Sequence, residues 1–103
     1  MFVILCEFEV KSRCEERFEA VYGPKGDWAR LFGRDPLYRE TLLLRDPFRQ
    51  RTYLTLDFWA SREAYDAFRE ANLTDYVALD RACQEMTLSE RKIGGYERLL
   101  VKA

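Results

Sequence analysis

An α+β fold of order β-α-β-β-α-β is what this chain predicts, on three observations. Four stretches alternate their side chains with period two, the signature of strands. Segments with apolar residues at helical spacing separate the first of these from the second and the third from the fourth. Between the second and the third stands only the turn Asp46-Pro47-Phe48-Arg49, so those two strands form a hairpin. This is the split βαβ, or ferredoxin-like, arrangement. Two right-handed crossovers then place the helices on one face of a four-stranded antiparallel sheet. The 103 residues suffice for one domain, 1–103, around a single core.

The first strand is Phe2 to Val10, with Phe2, Ile4, Cys6, Phe8 and Val10 on one face and Val3, Leu5, Glu7 and Glu9 on the other. Ser12 and Glu15 read as a capping box for a helix ending near Tyr22, with Phe18, Val21 and Tyr22 on its apolar side. Gly23-Pro24-Lys25-Gly26 breaks it. Asp27 is placed to cap a short second helix that runs through Phe32 and ends before Gly33 and Pro36. In the strand Leu37 to Arg45, Tyr38, Glu40, Leu42 and Leu44 alternate with Arg39, Thr41 and Leu43. In the strand Thr52 to Trp59, Leu54, Leu56 and Phe58 alternate with Tyr53, Thr55, Asp57 and Trp59.

Ser61 then offers an N-cap oxygen, and Glu63 puts negative charge in the first helical turn, where the helix dipole favours it. Ala64, Ala67, Phe68 and Ala71 follow at helical spacing. Asn72 to Asp75 interrupts the helix, because Asn and Thr side chains compete for backbone hydrogen bonds. Thr74 is placed to cap a further helix carrying Tyr76, Leu79, Cys83 and Met86. Thr87 to Lys92 is polar and leads out to a last strand, Ile93 to Val101. Its two side-chain sets, Tyr96/Arg98/Leu100 and Glu97/Leu99/Val101, leave open which faces the helices.

Composition excludes several classes of function. Hydrophobic residues make up 48% and aromatics 15%, so the chain can bury a core. Seventeen basic and eighteen acidic side chains are interspersed, which leaves no basic surface for nucleic acid. No apolar run approaches the roughly eighteen residues of a membrane span. The opening MFVILC has neither a basic flank nor a cleavage site, so it reads as a strand and the expected compartment is the cytoplasm. Cys6, Cys14 and Cys83 form no CxxC, so they read as structural thiols, and no metal or cofactor is expected. The absence of histidine removes Ser-His-Asp and Cys-His catalysis and histidine-ligated haem. Acid–base work falls to Asp, Glu, Lys, Tyr or Cys.

Helices cover only one sheet face. The sets Phe2/Ile4/Cys6/Phe8 and Leu54/Leu56/Phe58 are expected there. The other face then carries Val3, Leu5, Leu43 and Tyr53, with two more apolar residues from the last strand, a patch larger than monomers usually expose. A twofold homodimer packed sheet on sheet would cover it. Glu7, Glu9, Arg39, Thr41, Thr55 and Asp57 share that face, and once enclosed they would line a small-ligand cavity. A desolvated Asp57 would have a raised pKa and could act as a general base. The alternative is that Asp57 pairs with Arg39 and fixes the geometry of the dimer.

The segment YLTLDFWASREAYDAF resembles the antibiotic biosynthesis monooxygenase (ABM) domains of the dimeric α+β barrel superfamily. Those domains show a strand ending in Trp, a Ser at the helix start and a pattern like E-A-(aromatic)-x-A, which Trp59, Ser61, Glu63, Ala64, Tyr65 and Ala67 match. The first strand, the helix order and the closing GGYERL fit as well. The resemblance implies a homodimer whose protomers each hold an aromatic substrate between sheet and helices. It also implies oxidation of phenols or quinols by dioxygen without metal or flavin. Trp59 would help line that cavity, with Tyr65 and Phe68 nearby, a second place for a site on the helix side, while Tyr53 and Arg39 belong to the substrate site expected on the other face. Phe68 stands where many members carry histidine, and because haem-degrading relatives need a histidine ligand and the chain has none, haem oxygenation is not expected. Asp57 would be the base, with Arg39 or Arg98 stabilising the substrate anion. The alternative is a non-catalytic dimeric small-molecule-binding or structural protein.

Overall fold

The computed structural model describes residues 1–102. Along the chain come β1 (Phe2–Val10), α1 (Glu15–Tyr22), α2 (Asp27–Phe32), β2 (Tyr38–Arg45), β3 (Thr52–Trp59), α3 (Arg62–Ala71), α4 (Leu73–Cys83), a 3-10 turn (Gln84–Met86) and β4 (Thr87–Glu97). The four strands form one sheet in the order β2-β3-β1-β4, every pairing antiparallel. This is the ferredoxin-like arrangement, with the helices on one face. Among the described residues, no helix is long and apolar enough to cross a membrane.

Register decides which side chains face the helices. β1 and β3 pair Phe2 with Trp59, Ile4 with Asp57, Cys6 with Thr55 and Phe8 with Tyr53. Directly opposed residues share a face, and Ile4, Phe8, Tyr53 and Trp59 all belong to the buried core. The helix-facing set of β1 is therefore the expected one, while that of β3 is reversed. Tyr53, Thr55, Asp57 and Trp59 point at the helices, and Leu54, Leu56 and Phe58 point away with Val3 and Leu5. The hairpin carries the reversal into β2, where Thr41 and Leu43 face inward and Leu42 and Leu44 outward. The physical reason lies in the helices, which bring Phe18, Tyr22, Phe32 and Phe68 down onto the sheet. The large rings of Tyr53 and Trp59 mesh with these, and that layer takes the rings in preference to the leucines.

Local signals hold where they are self-contained. Ser61 Oγ accepts from the Ala64 N–H at 3.1 Å and caps α3. The Asp46 carboxylate accepts from the N–H groups of Phe48 at 2.8 Å and Arg49 at 3.1 Å, closing the hairpin turn. Three expected caps are absent. Arg13 adopts φ 71°, a left-handed conformation that separates Ser12 from the helix, so α1 begins after Cys14 without a side-chain cap. Asp27 is the first residue of α2 rather than its cap. At α4, Asn72 takes the cap position in place of Thr74, and its amide Nδ2 closes the preceding helix onto the Phe68 carbonyl at 3.0 Å.

The last strand also departs from expectation. β4 starts at Thr87 and ends at Glu97, and residues 98–102 have no regular structure. A polar stretch suits an edge strand because one of its flanks meets solvent. Two register shifts against β1 leave Leu88 and Ile93 as the extra residues. Gly95 faces the helix side opposite Ile4, where a Cβ would stand 2.5 Å from the Phe2 ring.

Candidate functional site

Asp57 sits near the end of β3 on the helix side, flanked by Ile4 of β1 and Thr41 of β2. Thr41, only 2% exposed, donates from Oγ1 to Asp57 Oδ1 at 2.6 Å. The Tyr38 hydroxyl lies 2.7 Å from the same Thr41 oxygen. Because the one Thr41 proton is committed to the carboxylate, Tyr38 is the donor to Thr41. Residues three apart on a regular strand face opposite ways. Here they meet because a bulge between Tyr38 and Glu40 inserts Arg39 as an extra residue.

Burial pushes the Asp57 carboxyl up to about 6, against a smaller opposing effect of the Thr41 hydrogen bond. The neighbouring Cys6 thiol is pushed up to about 12, first by burial and then by the Asp57 charge, so it stays protonated. Among the described residues, no three His, Cys, Asp or Glu side chains converge as metal ligands would.

Trp59, fully buried, is the centre of an aromatic cluster above this carboxylate. Its ring centroid lies 5.4 Å from Phe32, 5.4 Å from Tyr38, 5.7 Å from Tyr65 and 5.1 Å from Phe68. Most of these contacts are edge-on, the arrangement that ring quadrupoles prefer. Trp59 Nε1 is buried with no hydrogen-bond partner among the described residues. Tyr65 is flanked by two cations, the Arg69 guanidinium at 5.7 Å and the Lys92 ammonium at 5.8 Å from its ring. Burial raises its hydroxyl pKa, and the Arg69 charge opposes that.

The structure thus brings Asp57, Trp59, Tyr65 and Phe68 to one side of the sheet. It separates three other expected residues from them. Tyr53 lies at the opposite end of β3, its ring tilted against Phe18 at 4.9 Å and its hydroxyl donating to Glu19 Oε2 at 2.6 Å. Burial and Glu19 hold its hydroxyl at about 12. Arg39 is exposed and donates to the Pro36 carbonyl at 3.1 Å, so the ion pair with Asp57 does not form. Arg98 lies over the Phe58 ring at 5.9 Å, on the outward face. Thr41 was expected on the same face as Asp57 but not as its hydrogen-bond partner, and Tyr38 escaped the sequence reading. The hairpin turn could have revealed Thr41, since counting back from it sets Thr41 opposite Asp57. Nothing in the sequence marks the bulge that turns Tyr38 to the same side.

No family model matches the chain, and no curated protein matches its sequence. Solved structures do share its fold. SnoaB, a cofactor-independent oxygenase from Streptomyces nogalater, superposes with a TM-score of 0.76 at 17% identity over 97% of this chain and 94% of that one. A protein from Deinococcus radiodurans assigned to the antibiotic biosynthesis monooxygenases gives 0.77 at 10% identity, over 100% and 97%. An uncharacterized NIPSNAP domain protein from Burkholderia xenovorans gives 0.72 at 10% identity, over 100% and 99%. Identities this low show a common fold, the ABM-like one, on which more than one kind of protein is built.

Proposed function

We propose that the chain is a cofactor-independent oxygenase of phenols or quinols, with Asp57 as general base. The observation that carries this reading is a carboxylate poised at about 6 inside an aromatic layer, on a fold shared with a cofactor-independent oxygenase. A base with a pKa near the working pH is partly ionised and still a strong enough proton acceptor. The chemistry asked of the protein is modest. Asp57 takes the phenolic proton, and the electron-rich anion reacts with dioxygen, which is the oxidant. A ring CH2 of the keto tautomer plus O2 gives C=O plus water, so the substrate supplies all the electrons. Trp59 Nε1, a buried donor without an acceptor among the described residues, is suited to an oxygen of the substrate or of its peroxide. The reading carries with it a cytoplasmic homodimer, consistent with three unpaired cysteines and an apolar outward sheet face.

The second reading is a non-catalytic dimer that binds a small apolar ligand or none. The close packing of four rings around a Trp59 that is 0% exposed favours it. Oxygen uptake with a panel of phenols and quinols, without added metal, separates the two. Wild-type protein is expected to consume oxygen, and Asp57→Asn to slow it by about 100-fold or more, the usual contribution of a general base. No uptake by wild-type protein across the panel would leave the binding reading. Full turnover by the variant would remove Asp57 from the chemistry.

A further inference from the structure

A groove of about 460 Å³ runs along the free edge of β2, between that strand and the segment entering α2. Its apolar walls include Pro24 and Ala29, and both Tyr38 and Thr41 line it. The groove therefore reaches the outer end of the hydrogen-bond chain that runs inward to Asp57. Three cations stand around it: Lys25, Arg30 and Arg39. Arg30 is already engaged by Asp27 at 2.9 Å and by the Lys25 carbonyl at 2.8 Å. Arg39 meets only the Pro36 carbonyl, and neither Arg39 nor Lys25 has a carboxylate partner among the described residues. Glu40 also borders the groove, but its register partner is Phe58, so its side chain projects to the outward face. The groove thus combines two uncommitted positive charges, apolar walls and one phenolic hydroxyl wired to a half-buried carboxylate.

We propose that this groove binds a single-ring aromatic acid bearing a phenolic hydroxyl, with its carboxylate held by Lys25 and Arg39 and its hydroxyl at Tyr38. Tyr38 and Thr41 are then positioning residues that relay a proton to Asp57. The ligand hydroxyl gives its proton to the Tyr38 oxygen, Tyr38 passes its own to Thr41, and Thr41 passes its own to Asp57. Three protons each move one place. The ligand becomes a phenolate, Asp57 a neutral acid, and Tyr38 and Thr41 are regenerated. The site class goes beyond the proposed oxygenase, although the relay rests on that reading's assignment of Asp57 as base.

The probe is 4-hydroxybenzoate, titrated into the whole protein and followed by backbone amide NMR shifts. Saturable shifts at Lys25, Ala29 and Thr41 are expected, with phenol binding more weakly. The Lys25→Gln/Arg39→Gln variant changes only exposed side chains. It is expected to bind about five- to tenfold more weakly, the contribution of two solvent-exposed charge contacts. The phenolate absorbance of the bound probe is expected at lower pH in wild-type protein than in Tyr38→Phe, a difference that loss of packing alone would not produce. Shifts confined to α3 or to the outward sheet face, or an unchanged affinity in the double variant, would overturn the groove. An unchanged phenolate titration in Tyr38→Phe would overturn the relay. Binding here without oxygen uptake would sink the oxygenase and leave the groove intact. Oxygen uptake indifferent to the double variant would do the reverse.

Discussion

Asp57 holds its proton more tightly when folded than when unfolded, and this has a sign. The carboxyl titrates at about 6 in the folded chain and near the ordinary Asp value of about 3.9 once unfolded. Between those pH values the unfolded chain has released a proton that the folded one keeps. Stability therefore falls as pH rises through the window and levels off above it. The penalty at neutral pH is on the order of 3 kcal/mol. Asp57→Asn keeps an oxygen for the Thr41 hydroxyl and removes the charge. The variant is expected to be more stable than wild type by about that amount at pH near 7.5, and no more stable at pH near 4. Guanidinium unfolding at the two pH values measures it. Equal stabilities at the higher pH would mean that the carboxylate is well solvated. That Asp57 is the polar oddity of β3 was legible in the sequence, because its alternating neighbours are rings and a hydroxyl. The identity of its partner was not. Arg39 seemed the natural choice by charge, but one inserted residue turned it to the surface and left Thr41 and Tyr38 in its place.

Some elements whose cues lie within a few residues of one another were legible, although the equally local caps expected at Ser12, Asp27 and Thr74 did not form. The turn at Asp46 and the cap at Ser61 each close on their own backbone, so no distant contact can overrule them. β3 was half legible. Period two separated its side chains into two sets, but both sets were large and apolar enough to be core. The choice between them was made by rings on α3 and on α1 and α2, the last two of which lie far off in sequence. β4 was misjudged because its first half is polar, and only pairing with β1 makes it a strand. Gly95 supplies a test at this scale. A methyl group there would stand 2.5 Å and 2.8 Å from two carbons of the Phe2 ring, across the β1–β4 pair. Gly95→Ala is expected to cost about 1–3 kcal/mol, the usual result of overpacking. A shift of the urea midpoint would report it, and an unchanged midpoint would show that Phe2 swings aside freely.

At the scale of the whole molecule, the sheet has two unlike faces. The inner one is filled with rings. The outer one carries Val3, Leu5, Leu42, Leu44, Leu54, Leu56 and Phe58, with Leu42 at 39% and Leu44 at 48% exposure. A patch was legible in the sequence, although its members on β2 and β3 were the wrong alternation. Leu56 lies in the middle of this face, opposite Leu5 on one side and Leu42 on the other. If a second copy covers the face, Leu56→Glu is expected to give monomers while the helical layer stays folded. Sedimentation and circular dichroism read the two effects separately, and a variant with the wild-type mass would refute this interface.

The hairpin turn adds something to that face. Arg49 reaches from the turn to Glu7 on β1 at 2.8 Å, Arg91 of β4 meets the same carboxylate at 3.3 Å, and Phe48 stands 94% exposed beside them. The Arg49 hydrogen bond leads in lowering the Glu7 pKa, so the link is present at neutral pH and loosens as pH falls. The turn is thus tied down across one end of an otherwise smooth leucine surface, like the end-stop on a rail. A covering sheet is free to slide along leucines, which are alike to one another, until it meets this stop. If a second copy covers this face, its alignment is keyed to three charged side chains at one end, while the leucines supply adhesion without preference for position.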